Sequence, residues 1–171
     1  TPVSGKRCKV RHIQEFSVLW TDQTGGTVEV FEQYYIFKKQ RKWDHDYDNR
    51  NGDPFTFIVC SAPAPLAYFY TLAFADIKNP KHRELLKDLY KEAMEEILQY
   101  DIVFYIPIEF DIPQGDRLRK KEIRDQVDQA VHAFLLQHHI PFVTIAGSEE
   151  ERADKALVAI KRALDGVIAN S

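Results

Sequence analysis

Sulfur is scarce in this chain. Its two cysteines, Cys8 and Cys60, allow at most one disulfide and offer no repeated metal-ligand spacing. Apolar runs are short as well. None approaches about 18 residues, the length a membrane-spanning helix needs, and nothing at the start reads as a secretory leader. Positive charge is not in excess: 23 Lys+Arg stand against 26 Asp+Glu, a formal net charge of −3. The basic footprint of a nucleic-acid surface is therefore missing. The six histidines fall at no ligand spacing, and no Gly-x-Ser-x-Gly elbow supplies a hydrolase nucleophile. Apolar residues are plentiful, at 44% hydrophobic and 12% aromatic, which excludes disorder for most of the chain. A length of 171 residues suits one domain spanning 1–171. The compartment these features imply is a reducing cytoplasm, with no membrane and no nucleic acid as partner.

Four segments read as strands: Lys9–Ile13, Phe55–Cys60, Asp101–Ile106 and Pro141–Ala146. The last three are continuous apolar runs, as expected where helices cover both faces of a parallel sheet. Helical patterns lie between them. One runs from about Val28 to Tyr47 with Val30, Phe31, Tyr34, Tyr35 and Phe37 on its apolar face. A second carries Leu85, Leu86, Leu89, Tyr90, Ala93, Ile97 and Leu98 and starts at Asn79-Pro80, a helix cap followed by proline at the first helical position. Ile123, Val127, Val131, Phe134 and Leu135 mark a third, ending at His138-His139. Ala153, Leu157, Ile160, Leu164 and Ile168 mark the last, which Ser148 and Glu151 open as a capping box. Strands alternating with helices predict an α/β domain with a mostly parallel sheet and helices on both faces.

Three stretches offer chemistry, and a fourth does not. Asp44–Asp53 alternates acids, but Asn49 and Phe55 stand where a calcium loop needs Gly and Glu, so it reads as a solvated loop. Thr1–Lys6 (TPVSGK) matches the end of the phosphate-binding pattern G-x-x-x-x-G-K-[ST] through Gly5 and Lys6, with Arg7 where the hydroxyl residue belongs. Gly115-Asp116-Arg117-Leu118-Arg119-Lys120-Lys121, with Arg124 a turn later, presents arginines able to clamp phosphoryl oxygens. Gly147-Ser148 follows the last strand, at the carboxyl end where open parallel sheets bind ligands.

Taken in order, these segments resemble the P-loop ATPase and kinase (AAA) group that includes nicotinamide-riboside-kinase-like domains of the NadR type. The resemblance runs from about Val10 to Leu164 and rests on six patterns. They are His12–Ser17, Glu32–Gln40, Phe57–Pro63, Tyr100–Tyr105, Gly115–Arg124 and Val143–Ser148 with Glu151-Arg152. It implies a three-layer sandwich, ATP and magnesium as cofactors, and a nucleoside-like small-molecule phosphoryl acceptor. It also implies roles: Gly5 and Lys6 at phosphate, Arg117, Arg119 and Arg124 on a lid near 107–124, Gly147 and Ser148 beside the base.

The departures are specific. Family members carry a first strand, a full phosphate loop and a helix ahead of the position of Val10, where this sequence has TPVSGK. That strand sits mid-sheet between the third and fourth, so its absence implies either a gap or direct pairing of those two. Cys60-Ser61 stands where an acid on the magnesium side is usual, leaving the neutral hydroxyl of Ser61 there. Two functions follow: a kinase or ATPase, impaired in this chain, or a catalytically inactive module keeping the fold for binding. A flavodoxin-like binding domain shares the α/β pattern but explains neither the lid arginines nor TPVSGK.

Overall fold

The computed structural model describes residues 9–25, 28–45, 56–109 and 118–169. In chain order these form β1 (Lys9–Ile13), α1 (Phe16–Thr24), α2 (Glu32–His45), β2 (Thr56–Cys60), α3 (Leu66–Phe74), α4 (Pro80–Ile97), β3 (Phe104–Tyr105), α5 (Leu118–Gln137), β4 (Val143–Thr144) and α6 (Glu149–Ala169). The architecture is α/β, divided into two compact units, Thr1–Ile97 and Leu98–Ser171.

In the first unit β1 and β2 pair in parallel, Lys9 beside Thr56 through Ile13 beside Cys60. Helices α2, α3 and α4 pack on one another. Their shared core is Phe37, Ala64, Ala67, Leu89 and Ala93, with Tyr34, Tyr68 and Leu85 against it. Phe37 and Leu89 are completely buried, each contributing about 1.5–3 kcal/mol of transfer free energy. The start of α4 is the one the sequence predicts. Asn79 Oδ1 accepts the Lys81 N–H at 3.0 Å and the Asn79 carbonyl accepts that of Arg83 at 3.2 Å.

Three expectations need correction in this unit. The run Phe55–Cys60 was expected to be covered on both faces, yet Val10 (70% exposed) and Val59 (44%) lie on one open face of the ladder. Ile13 turns inward on the other. Two helices, α1 and α3, are additional to the patterned ones. Helix α1 buries no residue, so it has no stripe to read, and it ends on Gly25 at φ 66, whose N–H bonds to the Thr21 carbonyl. Helix α3 (LAYFYTLAF) is apolar almost all round, which erases the 3.6-residue contrast. Lastly, Asp44 is not in a solvated loop. It lies in the final turn of α2 and is 1% exposed. The remaining residues of that loop, 46–53, lie outside the described ones.

In the second unit β3 and β4 pair in parallel, Phe104 beside Val143 and Tyr105 beside Thr144. Flanking bonds, Val143 N to Val103 O at 2.9 Å and Ile145 N to Tyr105 O at 2.8 Å, carry the ladder slightly further. Both strands are shorter than their apolar runs. Pro107 and Pro141 have no N–H to give a ladder, and Ile106 is 55% exposed. Among the described residues the strands form two two-stranded sheets, β1–β2 and β3–β4.

Helix α5 buries Val127, Phe134 and Leu135 as its pattern predicts, and closes on His139 at φ 52. The predicted face of α6 is turned: Ala153 and Leu157 are exposed, while Ala156, Ala159, Ile160, Ala163 and Leu164 are half-buried. Within this unit an open groove of about 580 Å³ runs between the β3–β4 strands and α6, floored by residues such as Val103, Phe142 and Val158. No helix among the described residues is long and apolar enough to cross a membrane.

Candidate functional site

Polar side chains gather at the carboxyl ends of the strands in each unit. In the first, β1 runs through Gln14 and Glu15 into α1, and Gln40 of α2 fixes that turn from beneath. Its Oε1 accepts the Phe16 N–H at 2.7 Å and its Nε2 donates to the Gln14 carbonyl at 3.1 Å. The same Nε2 reaches Asp44 Oδ1 at 2.9 Å, while Asp44 Oδ2 accepts the Ala64 N–H at 2.9 Å. The buried pair Gln40 and Asp44 thus ties the exits of β1 and β2 to one helix.

Around that tie sit Cys60, Ser61, His12 and Ser17. Burial first, then Asp44 and Glu96, push the Cys60 thiol up to about 12, so it stays a protonated, unreactive thiol near neutral pH. Ser61 Oγ and His12 Nε2 are 2.9 Å apart and exposed. The Ser17 hydroxyl donates to Glu15. Burial, and next the charge of Glu15, raise the Tyr70 phenol above its ordinary value.

Behind them α2 and α4 are joined by an ionic ladder. Glu92 takes Tyr34 OH at 2.6 Å, Lys38 Nζ at 2.5 Å and Arg41 Nη1 at 3.3 Å. Fully buried Glu96 meets His45 Nε2 at 2.5 Å, and Arg41 Nε lies 2.8 Å from its other oxygen, off the hydrogen-bonding line. Burial alone would raise the Glu92 carboxyl, but the Lys38 and Tyr34 bonds and the charge of Arg41 outweigh it and hold it below its usual range. Each carboxylate is thus engaged by side chains of the facing helix, which ties α2 to α4.

In the second unit the Gly147-Ser148 turn leaves β4 and opens α6. The capping box is present in both directions, Ser148 N to Glu151 Oε2 at 2.7 Å and Glu151 N to Ser148 Oγ at 3.3 Å. Gly147 has φ 106, and a Cβ there would lie 2.4 Å from Glu151 Oε2, so the turn requires glycine. Glu109 accepts the Gly147 N–H and pairs with Arg152. Its neighbour is an open polar cavity of about 390 Å³ lined by Ile108, Glu109 and, from α5, Lys121, Arg124, Asp125, Asp128 and Gln129. Tyr105 OH donates to both oxygens of Asp128, at 3.1 and 3.0 Å, and its ring stacks on His132. Burial, then Asp128, raise that phenol to about 12.

Of the residues singled out by sequence, Gly147 and Ser148 share one turn, and Arg124 lines the cavity that Glu109 borders. Arg124 is half-buried, with its guanidinium on Asp125 at 3.2 Å. Ser61 lies in the other unit, bonded to His12. Arg119 falls in the first turn of α5 with only its backbone described. Gly5, Lys6 and Arg117 lie outside the described residues. The lid region near 107–124 divides likewise: 110–117 lie outside, and Leu118 onward is helix α5.

Asp44 and Glu109 were missed as site-shaping residues, while Gln40 and Arg152 entered only as members of the resemblance patterns. Gln33, Ile36, Phe37, Gln40 and Asp44 are all buried at helical spacing, a signal that extends α2 into the acidic run. No family model, curated protein or solved structure matches the chain significantly.

Proposed function

We propose that this chain is a nucleotide-handling domain of the P-loop kinase kind, an ATP-dependent small-molecule kinase or ATPase impaired by having Ser61 where the magnesium-side acid is usual. One observation carries the reading. Both strand pairs are parallel, and each pair's carboxyl ends open on polar side chains: Glu15, Ser17 and Ser61 in one unit, Glu109 and Ser148 about the Gly147 turn in the other. Ligands of parallel sheets bind at such ends. In this reading the strands belong to a three-layer sandwich in a cytoplasmic protein. Gly5 and Lys6 hold phosphate, Arg117, Arg119 and Arg124 stabilise the transferring phosphoryl group, and Gly147 and Ser148 border the base. The partners are the nucleotide and a nucleoside-like acceptor. Gln40, which pins the β1 exit at Gln14 and Phe16, gives the resemblance's Gln-ended helix a physical purpose.

Magnesium fits less well. The Ser61 hydroxyl is engaged with the His12 imidazole, and no carboxylate bonds to it among the described residues. A neutral hydroxyl in that state does not supply the anionic oxygen that magnesium binds. The same His12–Ser61 bond favours a second reading, a catalytically inactive module that retains the fold for binding.

Titration calorimetry with ATP, with and without magnesium, on the parent chain and Lys6→Ala tests this. Weak binding that Lys6→Ala abolishes, little changed by magnesium, supports the impaired kinase. Tight magnesium-dependent binding contradicts the impairment. Binding indifferent to Lys6→Ala, or none, contradicts the phosphate-loop role and favours the inactive module.

A further inference from the structure

Glu109 follows β3 by four residues and Gly147 follows β4 by three, so the parallel ladder delivers both to the same end of the strand pair. Both Glu109 oxygens accept the Gly147 N–H, at 3.0 and 2.9 Å, and Oε2 also takes Arg152 Nη2 at 2.5 Å. Arg152 closes the ring by giving its Nε–H to the Gly147 carbonyl at 2.8 Å. The neighbouring groups are satisfied from α6: Lys155 Nζ donates to the Ala146 carbonyl at 2.6 Å, and Glu151 accepts the Ser148 N–H. Among the described residues, Glu109 is the member of this set that comes from outside the β4–α6 connection.

We propose that Glu109 is an electrostatic latch: it holds the segment leaving β3 against the turn leaving β4 while its carboxylate is ionised, and lets go when that charge is lost. The latch is independent of the nucleotide reading, since it needs no ligand. The charges facing it come from two helices. From α6, Arg152 and Lys155 attract it, and Glu151, the nearby like charge, is turned onto Ser148. From α5, Lys121, Arg124, Asp125 and Asp128 share its cavity.

The Gly147 N–H first, helped by the Arg152 bond and the charges of Arg152 and Lys155, outweighs the opposing effect of burial and holds the Glu109 carboxyl below its usual range. A depressed carboxyl contributes above its ordinary pKa and loses that contribution as pH falls through the depressed folded value. The latch is therefore closed at neutral pH and opens only in acid. Opening exposes the Gly147 N–H, at a turn whose φ of 106 only glycine holds easily, and releases Arg152 from its second anchor.

Glu151 titrates in the same region, because its carboxyl is also lowered, first by the Ser148 N–H. Two adjacent amides therefore report two different carboxylates. Backbone amide exchange and NMR shifts of Gly147 and Ser148, followed against pH in the full chain, separate them. In Glu109→Gln the Gly147 amide exchanges several-fold faster at neutral pH and loses its acid titration, while Ser148 keeps both. Arg152→Lys, which retains charge but not the two-pronged contact, accelerates Gly147 less. Glu151→Gln reverses the pattern, exposing Ser148 and sparing Gly147. A Gly147 amide unchanged in Glu109→Gln overturns the latch. So does a joint response of both amides to either variant, which would mean that the first turn of α6 frays as one unit.

Discussion

The Asp44 carboxylate accepts the backbone N–H of Ala64, twenty residues on, at 2.9 Å. That bond joins the last turn of α2 to the turn between β2 and α3, and the burial of Asp44 makes it costly to lose. Asp44→Ala leaves the Ala64 N–H and Gln40 Nε2 without their buried acceptor. Each such group costs about 1–3 kcal/mol, so urea denaturation should find the variant about 3 kcal/mol less stable. A loss under about 1 kcal/mol would show that water replaces the carboxylate.

Gly147→Ala forces a Cβ into the left-handed region and displaces the Glu151 carboxylate from Ser148. The backbone strain alone is about 1–2 kcal/mol. The thermal midpoint should fall, and the Ser148 amide should lose protection along with it. An alanine variant with the parent's midpoint would contradict the φ of this turn.

Glu92 gives stability a defined pH dependence. Its carboxyl is held below the usual range, so its contribution is present above the ordinary carboxylate pKa and lost as pH falls through the depressed value. Glu92→Gln should cost about 1 kcal/mol at neutral pH, a figure reduced for the exposure of Lys38. In strong acid it should cost nearly nothing. An equal loss at both pH values would assign the effect to packing.

At the alkaline end Tyr105 keeps its proton to about pH 12, beyond the value near 10 of a free phenol. Stability from this group is full below the unfolded pKa and declines as pH rises through the folded one. Ultraviolet titration should show a late phenol that Tyr105→Phe removes. A titration identical in parent and variant would break the Tyr105–Asp128 assignment.

Legibility in the sequence varied with contrast. Helix α4 was plain because Asn79-Pro80 marks its start and Leu85, Leu89, Ala93 and Ile97 alternate with charges. The capping box at Ser148 and Glu151 was plain for a similar local reason. Helix α3 was hidden because Leu66–Phe74 has no polar face to set a period. Asp44 was hidden by its neighbours, since the polar run after it reads as a loop while the apolar stripe from Ile36 and Phe37 continues through it. Strands β3 and β4 are shorter than their apolar runs because Pro107 and Pro141 limit the ladder. The Glu109–Gly147 contact spans 38 positions and exists only because β3 and β4 pair in parallel, which no local pattern near Glu109 announces.

The measurement that bears most directly on the nucleotide reading is an NMR titration of the full chain with ATP, mapped by residue. The account predicts weak, saturable shifts centred on Gly5, Lys6, Gly147, Ser148 and the lid residues around Arg124, with the α2–α4 ladder at Glu92 and Glu96 undisturbed. Shifts confined to other surfaces, or none at millimolar ATP, would contradict it.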